Sequence, residues 1–174
     1  MEIIGVVLLG ICVLLLATIV FILRNTAKFR ERQLQHLQDQ EQRQYELSKC
    51  ENALSYSITK NDTLRQARRN LEDTFEELRG DEPKALPLEK IQQAIEQDIS
   101  VKTDIICLLG HWENMALAIH SNIADNQTAF NMVASICRSH VRTFMEFIEY
   151  RRDKNRNIYK HLLRLDQEWR ENQQ

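Results

Sequence analysis

Residues Ile105–Ile148, IICLLGHWENMALAIHSNIADNQTAFNMVASICRSHVRTFMEFI, decide the fold. Ile105, Leu108, Leu109, Trp112, Met115, Ala116 and Ile119 recur at three- and four-residue spacing, the period of a helix with one buried face. Asn122–Asn126 (NIADN) then forms a tight polar turn, with Asp125 placed to cap the next helix. That second helix runs through Phe130, Val133, Ala134, Cys137, Val141, Phe144, Met145 and Ile148. Two long apolar faces joined by a short turn pack antiparallel, so the stretch reads as the hairpin of a small helical bundle.

Upstream, Leu88, Ile91, Ala94, Ile95 and Ile99 carry the helical pattern back to the loop Asp81–Pro87 (DEPKALP), the best internal boundary. Downstream, the charged run RRDKNRN (151–157) leads into a final helix with Ile158, Leu162, Leu165 and Trp169. Before the loop, Leu64, Ala67, Leu71, Phe75 and Leu78 share one face of an amphipathic helix, with Asn61-Asp62-Thr63 as N-cap candidates and Gly80 as C-cap. No segment has the two-residue period of a strand, and four glycines and two prolines leave little material for turns.

Residues 24–60 read as a helical stalk. The stretch QLQHLQDQEQRQ (33–44) holds six glutamines and two leucines, so Leu34 and Leu37 begin a heptad that Glu41 and Gln44 do not continue. An exposed helix is the plainer reading of this stalk, and a weak parallel homo-oligomer the sharper one. At the N-terminus, Ile3–Leu23 (IIGVVLLGICVLLLATIVFIL) is apolar and uncharged. At ~1.5 Å per residue it would extend about 31 Å, the thickness of a bilayer core. Arg24, Lys28, Arg30 and Arg32 follow it and no basic residue precedes it. That flank predicts an uncleaved single-pass anchor with the N-terminus outside and the body cytoplasmic. The expected fold class is therefore all-α: a transmembrane anchor (1–23), stalk (24–60), amphipathic helix (61–80) and antiparallel cytoplasmic bundle (88–172).

The chain carries 23 basic and 25 acidic residues, a balance that argues against a globally basic nucleic-acid binder. Cys12, Cys50, Cys107 and Cys137 show no close pairing and read as reduced thiols. The sequons at Asn61 and Asn126 meet no glycosylation enzyme in the expected orientation.

Three constellations bear on chemistry. Cys107-x3-His111 and Cys137-x2-His140 have the residue types of a tetrahedral zinc site. However, Cys107 and His111 point about 130° from the apolar stripe of the first helix while Cys137 lies inside that of the second, so no metal is expected. Glu113, with Trp112 and His120 nearby, has the residue types for acid–base work. In the absence of a phosphate loop, nucleophile elbow or paired carboxylates, it reads as a structural ion-pair residue facing Arg138 or Arg142, and no catalytic residue is assigned. Arg138, Arg142, Arg151, Arg152, Lys154, Arg156, Lys160 and Arg164 crowd one end of the chain as a candidate interaction patch for lipid, RNA or protein. Tyr150 and Tyr159 stand alone within it, short of the aromatic interleaving of a nucleic-acid surface.

The strings HWENMALAIHSNIADNQTAFN and RTFMEFIEYRRDKNRNIYKHLLRLDQEW resemble the bacterial membrane-anchored family DUF4760, over roughly residues 88–172 with the anchor in front. The likeness rests on Trp112-Glu113, Ala116, Ile119, the acidic turn, and the closing helix with Tyr159, Leu162, Leu163 and Trp169. It implies an architecture and, since that family has no established activity, no catalytic residue or cofactor. The expected function is a non-enzymatic, inner-membrane-anchored protein whose bundle binds or senses a cytoplasmic protein partner. A membrane-associated defence or stress effector is the alternative, and an enzyme the third reading. The expected contacts are the lipid bilayer through 3–23, a second copy through the stalk and that protein partner; nucleic acid is not expected.

Overall fold

The computed structural model describes the backbone of residues 2–79 and 84–171, and the side chains of these except 2–20 and 27. Among them every regular element is helical: α1 (Glu2–Ser55), α2 (Asp62–Thr74), α3 (Leu88–Gln97), α4 (Ile99–His120), α5 (Asn126–Thr143), α6 (Met145–Lys154) and α7 (Lys160–Glu171), with single 3-10 turns after α1 and α2.

The chain divides into two compact units, 1–45 and 46–174. In the first, the described side chains of α1 face solvent, including Phe29, Leu34 and Leu37. The second unit holds the end of α1 and all later elements. It thus takes in the expected amphipathic segment (61–80) and the end of the expected stalk (24–60), which differs from the division drawn from sequence. Ala53 is buried, the Asn52 amide donates to the Ile123 carbonyl at 3.1 Å, and the Asp125 N–H donates to the Lys49 carbonyl at 3.1 Å.

The transmembrane anchor is corrected here. Among the described residues no helix is long and apolar enough to cross a membrane. A span needs about 20 apolar residues in succession; beyond the apolar trio Phe21, Ile22 and Leu23, the described length of α1 is polar and charged. Most of the stretch 3–23 falls on residues whose side chains lie outside the described set. The fold class is therefore all-α without an assigned membrane span. The single-pass inner-membrane placement, its N-out orientation and the bilayer as partner through 3–23 are withdrawn with the span.

Local signals start and stop the helices. The Asn61 side chain accepts from the Leu64 N–H at 3.1 Å and opens α2. Asp125 does the same for α5, accepting from Thr128 at 2.6 Å. Gly80, expected as a cap, lies outside the described residues; α2 instead ends at Thr74, with the Phe75 N–H donating to the Leu71 carbonyl. The acidic turn is a Schellman closure: Asn122 takes a left-handed φ of 57°, its N–H donates to Ile119, and the Ile123 N–H reaches back to Ala118.

Two helices read as continuous are broken. Asp98 adopts an extended conformation and its carboxylate accepts from the Ser100 N–H at 2.8 Å, ending α3 and starting α4. A continuous α5 would offer the Thr143 carbonyl to residue 147. That carbonyl instead accepts from the Leu86 N–H at 2.9 Å, and the chain re-enters a helix as α6.

α4 is the central element, packed most extensively against α2 and α7, with smaller contacts to α3 and α5. The hairpin partner α5 is thus a lesser neighbour of α4 than the apolar patterns suggested. Trp112, Trp169, Phe75, Phe144, Leu108, Leu109, Met115 and Ile148 are fully enclosed. Trp169 lies edge-on to Phe130, centroids 5.7 Å apart, and its indole N–H donates to the Asn126 side chain at 2.8 Å, holding α7 on α5.

Candidate functional site

The basic cluster is not one surface. Arg138 lies 3.8 Å from the buried carboxylate of Asp166, which also pairs with Arg170. Arg164 is paired with Glu168 at 2.8 Å. Arg142 and Lys160 are exposed and border neither of the depressions that α6 helps to form. The remaining four are divided by the helical period of α6, with Phe147 and Ile148 turned into the core. Arg152 and Arg156 line a depression with Met145, Glu149, Asp153 and Leu163, where opposite charges alternate. Arg151 and Lys154 fall on the other side and line a deeper groove.

That groove lies between α3 and α6, with the start of α4 contributing Lys102, and has a volume of about 520 Å³. The two helices are held together at their N-terminal ends, where the Leu88 N–H donates to the Glu146 carboxylate at 2.7 Å. Leu88, Ile95, Phe147 and Ile158 provide its apolar lining, and Gln92, Glu96, Lys102, Tyr150, Arg151 and Lys154 its polar rim. The Lys154 ammonium reaches the Tyr150 hydroxyl at 3.0 Å and sits 4.7 Å from the ring centroid. The hydrogen bond from Lys154, with the fields of Lys154, Lys102 and Arg151, holds the Tyr150 phenol below its ordinary range. Three cations thus converge on one exposed phenol above an apolar floor.

Lys102 and Gln92 escaped the sequence reading because they precede the basic run by some fifty residues. The available signal was Tyr150 with Lys154 at i and i+4, a cation placed over an aromatic ring.

The four candidate zinc ligands do not converge. Cys107 and His111 border a shallow depression beside Asn61 and Leu64, and His111 is hydrogen-bonded to the Tyr56 carbonyl at 2.9 Å. Burial pushes the Cys107 and Cys137 thiols up, most strongly for the enclosed Cys137. His140 Nδ1 accepts the Trp112 indole N–H at 3.0 Å. Among the described residues no three His, Cys, Asp or Glu side chains are grouped to hold a metal ion.

Glu113 has different partners from the expected arginines. Its two carboxylate oxygens accept the backbone N–H groups of His161 (3.2 Å) and Leu162 (2.7 Å). These belong to the first turn of α7, whose preceding residue, Tyr159, is buried with φ 54° and offers no short side chain to cap it. A carboxylate from another helix supplies the cap and complements the helix dipole. Glu113→Gln, which keeps the shape and removes the charge, is expected to lower unfolding free energy by about 1–2 kcal/mol. Chemical denaturation checks this, and an unchanged midpoint would show the cap to be dispensable. His120, the other acid–base candidate, lies 3.2 Å from His161 between Nδ1 atoms and 3.3 Å from Glu168.

No curated protein and no solved structure matches the chain. A family model does: Domain of unknown function (DUF4760) matches residues 6–169, nearly the whole length, so the chain belongs to that family.

Proposed function

We propose that this protein is a non-enzymatic binding module and that the α3–α6 groove is where it takes its partner. The observation that carries the reading is the meeting of Lys102, Arg151 and Lys154 around Tyr150 above Leu88, Ile95, Phe147 and Ile158. Ligand sites combine an apolar concavity with a few convergent polar groups, and a groove of this size falls within their usual range. The rim favours an anionic partner, because three cations face the single carboxylate of Glu96.

Anilinonaphthalene sulfonate, an aromatic anion, tests the site. The full chain is expected to bind it saturably, and Lys102→Glu/Arg151→Glu to remove that component, weakening affinity about tenfold or more. Salt should weaken the wild type more than the variant. Equal binding by the two proteins would place the probe elsewhere and remove the groove from consideration.

A further inference from the structure

The groove also indicates what kind of anion it takes, an inference that rests on the binding reading above. We propose that it holds a single-chain amphiphilic carboxylate of the fatty-acid class, its head among Lys102, Arg151, Lys154 and Tyr150 and its chain along Leu88, Ile95, Phe147 and Ile158.

Size comes first. A groove of about 520 Å³ suits a small ligand. A docked protein helix would need anchoring positions over several turns, whereas α3 and α6 are ten residues each. Polarity comes second. Among the described residues no carboxylate pairs with Lys102 or Arg151, and the hydrogen-bond partner of Lys154 is the Tyr150 hydroxyl. These cations are therefore available to a ligand. Glu96 on the same rim opposes a second negative charge, which selects a monoanionic head over a dianionic phosphate monoester. The floor comes third: Phe147 is buried, while Leu88, Ile95 and Ile158 are half-buried and present apolar surface to a chain laid across them.

The experiment uses the full chain and a dodecanoate bearing a diazirine in its chain, photolysed below its micellar concentration, with labelled peptides mapped by mass spectrometry. Label is expected on the α3 and α6 peptides and should be competed by plain dodecanoate. Lys102→Glu/Arg151→Glu should cut it there about tenfold while label elsewhere persists. Gln92→Trp, which fills the groove without altering its charge, should block the same peptides, and circular dichroism confirms that both variants keep their helix content.

Equal labelling of the groove by the corresponding dodecylamine would overturn the proposal, as would stronger competition by dodecyl phosphate. So would competition by an acidic amphipathic peptide where dodecanoate has no effect, since that outcome assigns the groove to a protein. If the sulfonate probe still depends on Lys102 and Arg151 but the α3 and α6 peptides take no label, the ligand class falls and the binding reading stands. Loss of both signals removes both.

Discussion

Replacing Trp112 by alanine is expected to destabilise the bundle by about 3–5 kcal/mol, the cost of emptying a large aromatic site in a packed core. Trp112 is fully buried on the central helix. Its ring lies 4.9 Å from His111, edge-on, and 6.0 Å from His140, while His111 is 5.5 Å from Tyr56. This aromatic series joins the 3-10 approach after α1 to α4 and α5. Truncation would leave a cavity and also strip His140 Nδ1 of the indole N–H it accepts. Since a domain of this size has about 5–15 kcal/mol in total, much of the helical signal should be lost under mild denaturant. Trp112→Phe separates the two effects: it retains most of the ring and removes only the donor, with an expected cost of about 1–2 kcal/mol. Equilibrium urea unfolding measures both. A Trp112→Ala loss below about 1 kcal/mol would mean the site collapses around the gap, contrary to the packing described.

Acid should weaken the fold well before the carboxylates titrate. Burial, reinforced by the nearby Arg68 charge, pushes the His140 imidazole down from an ordinary 6.5 to about 3. The unfolded chain protonates this residue normally, so the unfolded state binds the extra proton between those values. The contribution of neutral His140 is complete above about pH 6.5 and is lost progressively as pH falls toward 3. At 1.36 kcal/mol per pKa unit, lowering the pH from 7 to 5 should cost roughly 2 kcal/mol. Asp125 and Glu168 are held below their ordinary carboxylate values, so their losses come at lower pH than this window. His111 is also held low by burial, against the opposing bond to the Tyr56 carbonyl, and should leave a small residual slope. His140→Asn supplies an oxygen in place of Nδ1 for the indole and cannot take a proton. Its unfolding free energy should be nearly flat from pH 7 to 5 apart from the His111 share. A variant slope as steep as the wild type would show that another group carries the acid sensitivity.

Helix identity was legible because it depends on neighbours in sequence. The stripe from Ile105 to Ile119 is the buried face of α4 apart from half-buried Ile119, and Asn61 and Asp125 cap the helices they precede. The breaks were less legible for opposite reasons. Asp98 is a local cap that lies within a continuous apolar period, whereas the end of α5 depends on Leu86, far away in sequence, taking the Thr143 carbonyl. The anchor reading failed for a different reason. Length and hydropathy of a segment are one-dimensional quantities, and among the described residues no helix meets the requirement for a span.

The sequence by itself determined that this chain is helical, where most of its helices begin, and which faces turn inward. Those properties follow from a 3.6-residue period and from side chains that hydrogen-bond within their own turn. Only the tertiary structure decided which basic residues act together. The turn of α6 sends Arg152 and Arg156 to one side and Arg151 and Lys154 to the other, and the start of α4 brings Lys102 to the latter pair. It also gave Glu113 to the first turn of α7. Contacts between residues some fifty positions apart are set by how packed helices cross, which no local pattern encodes.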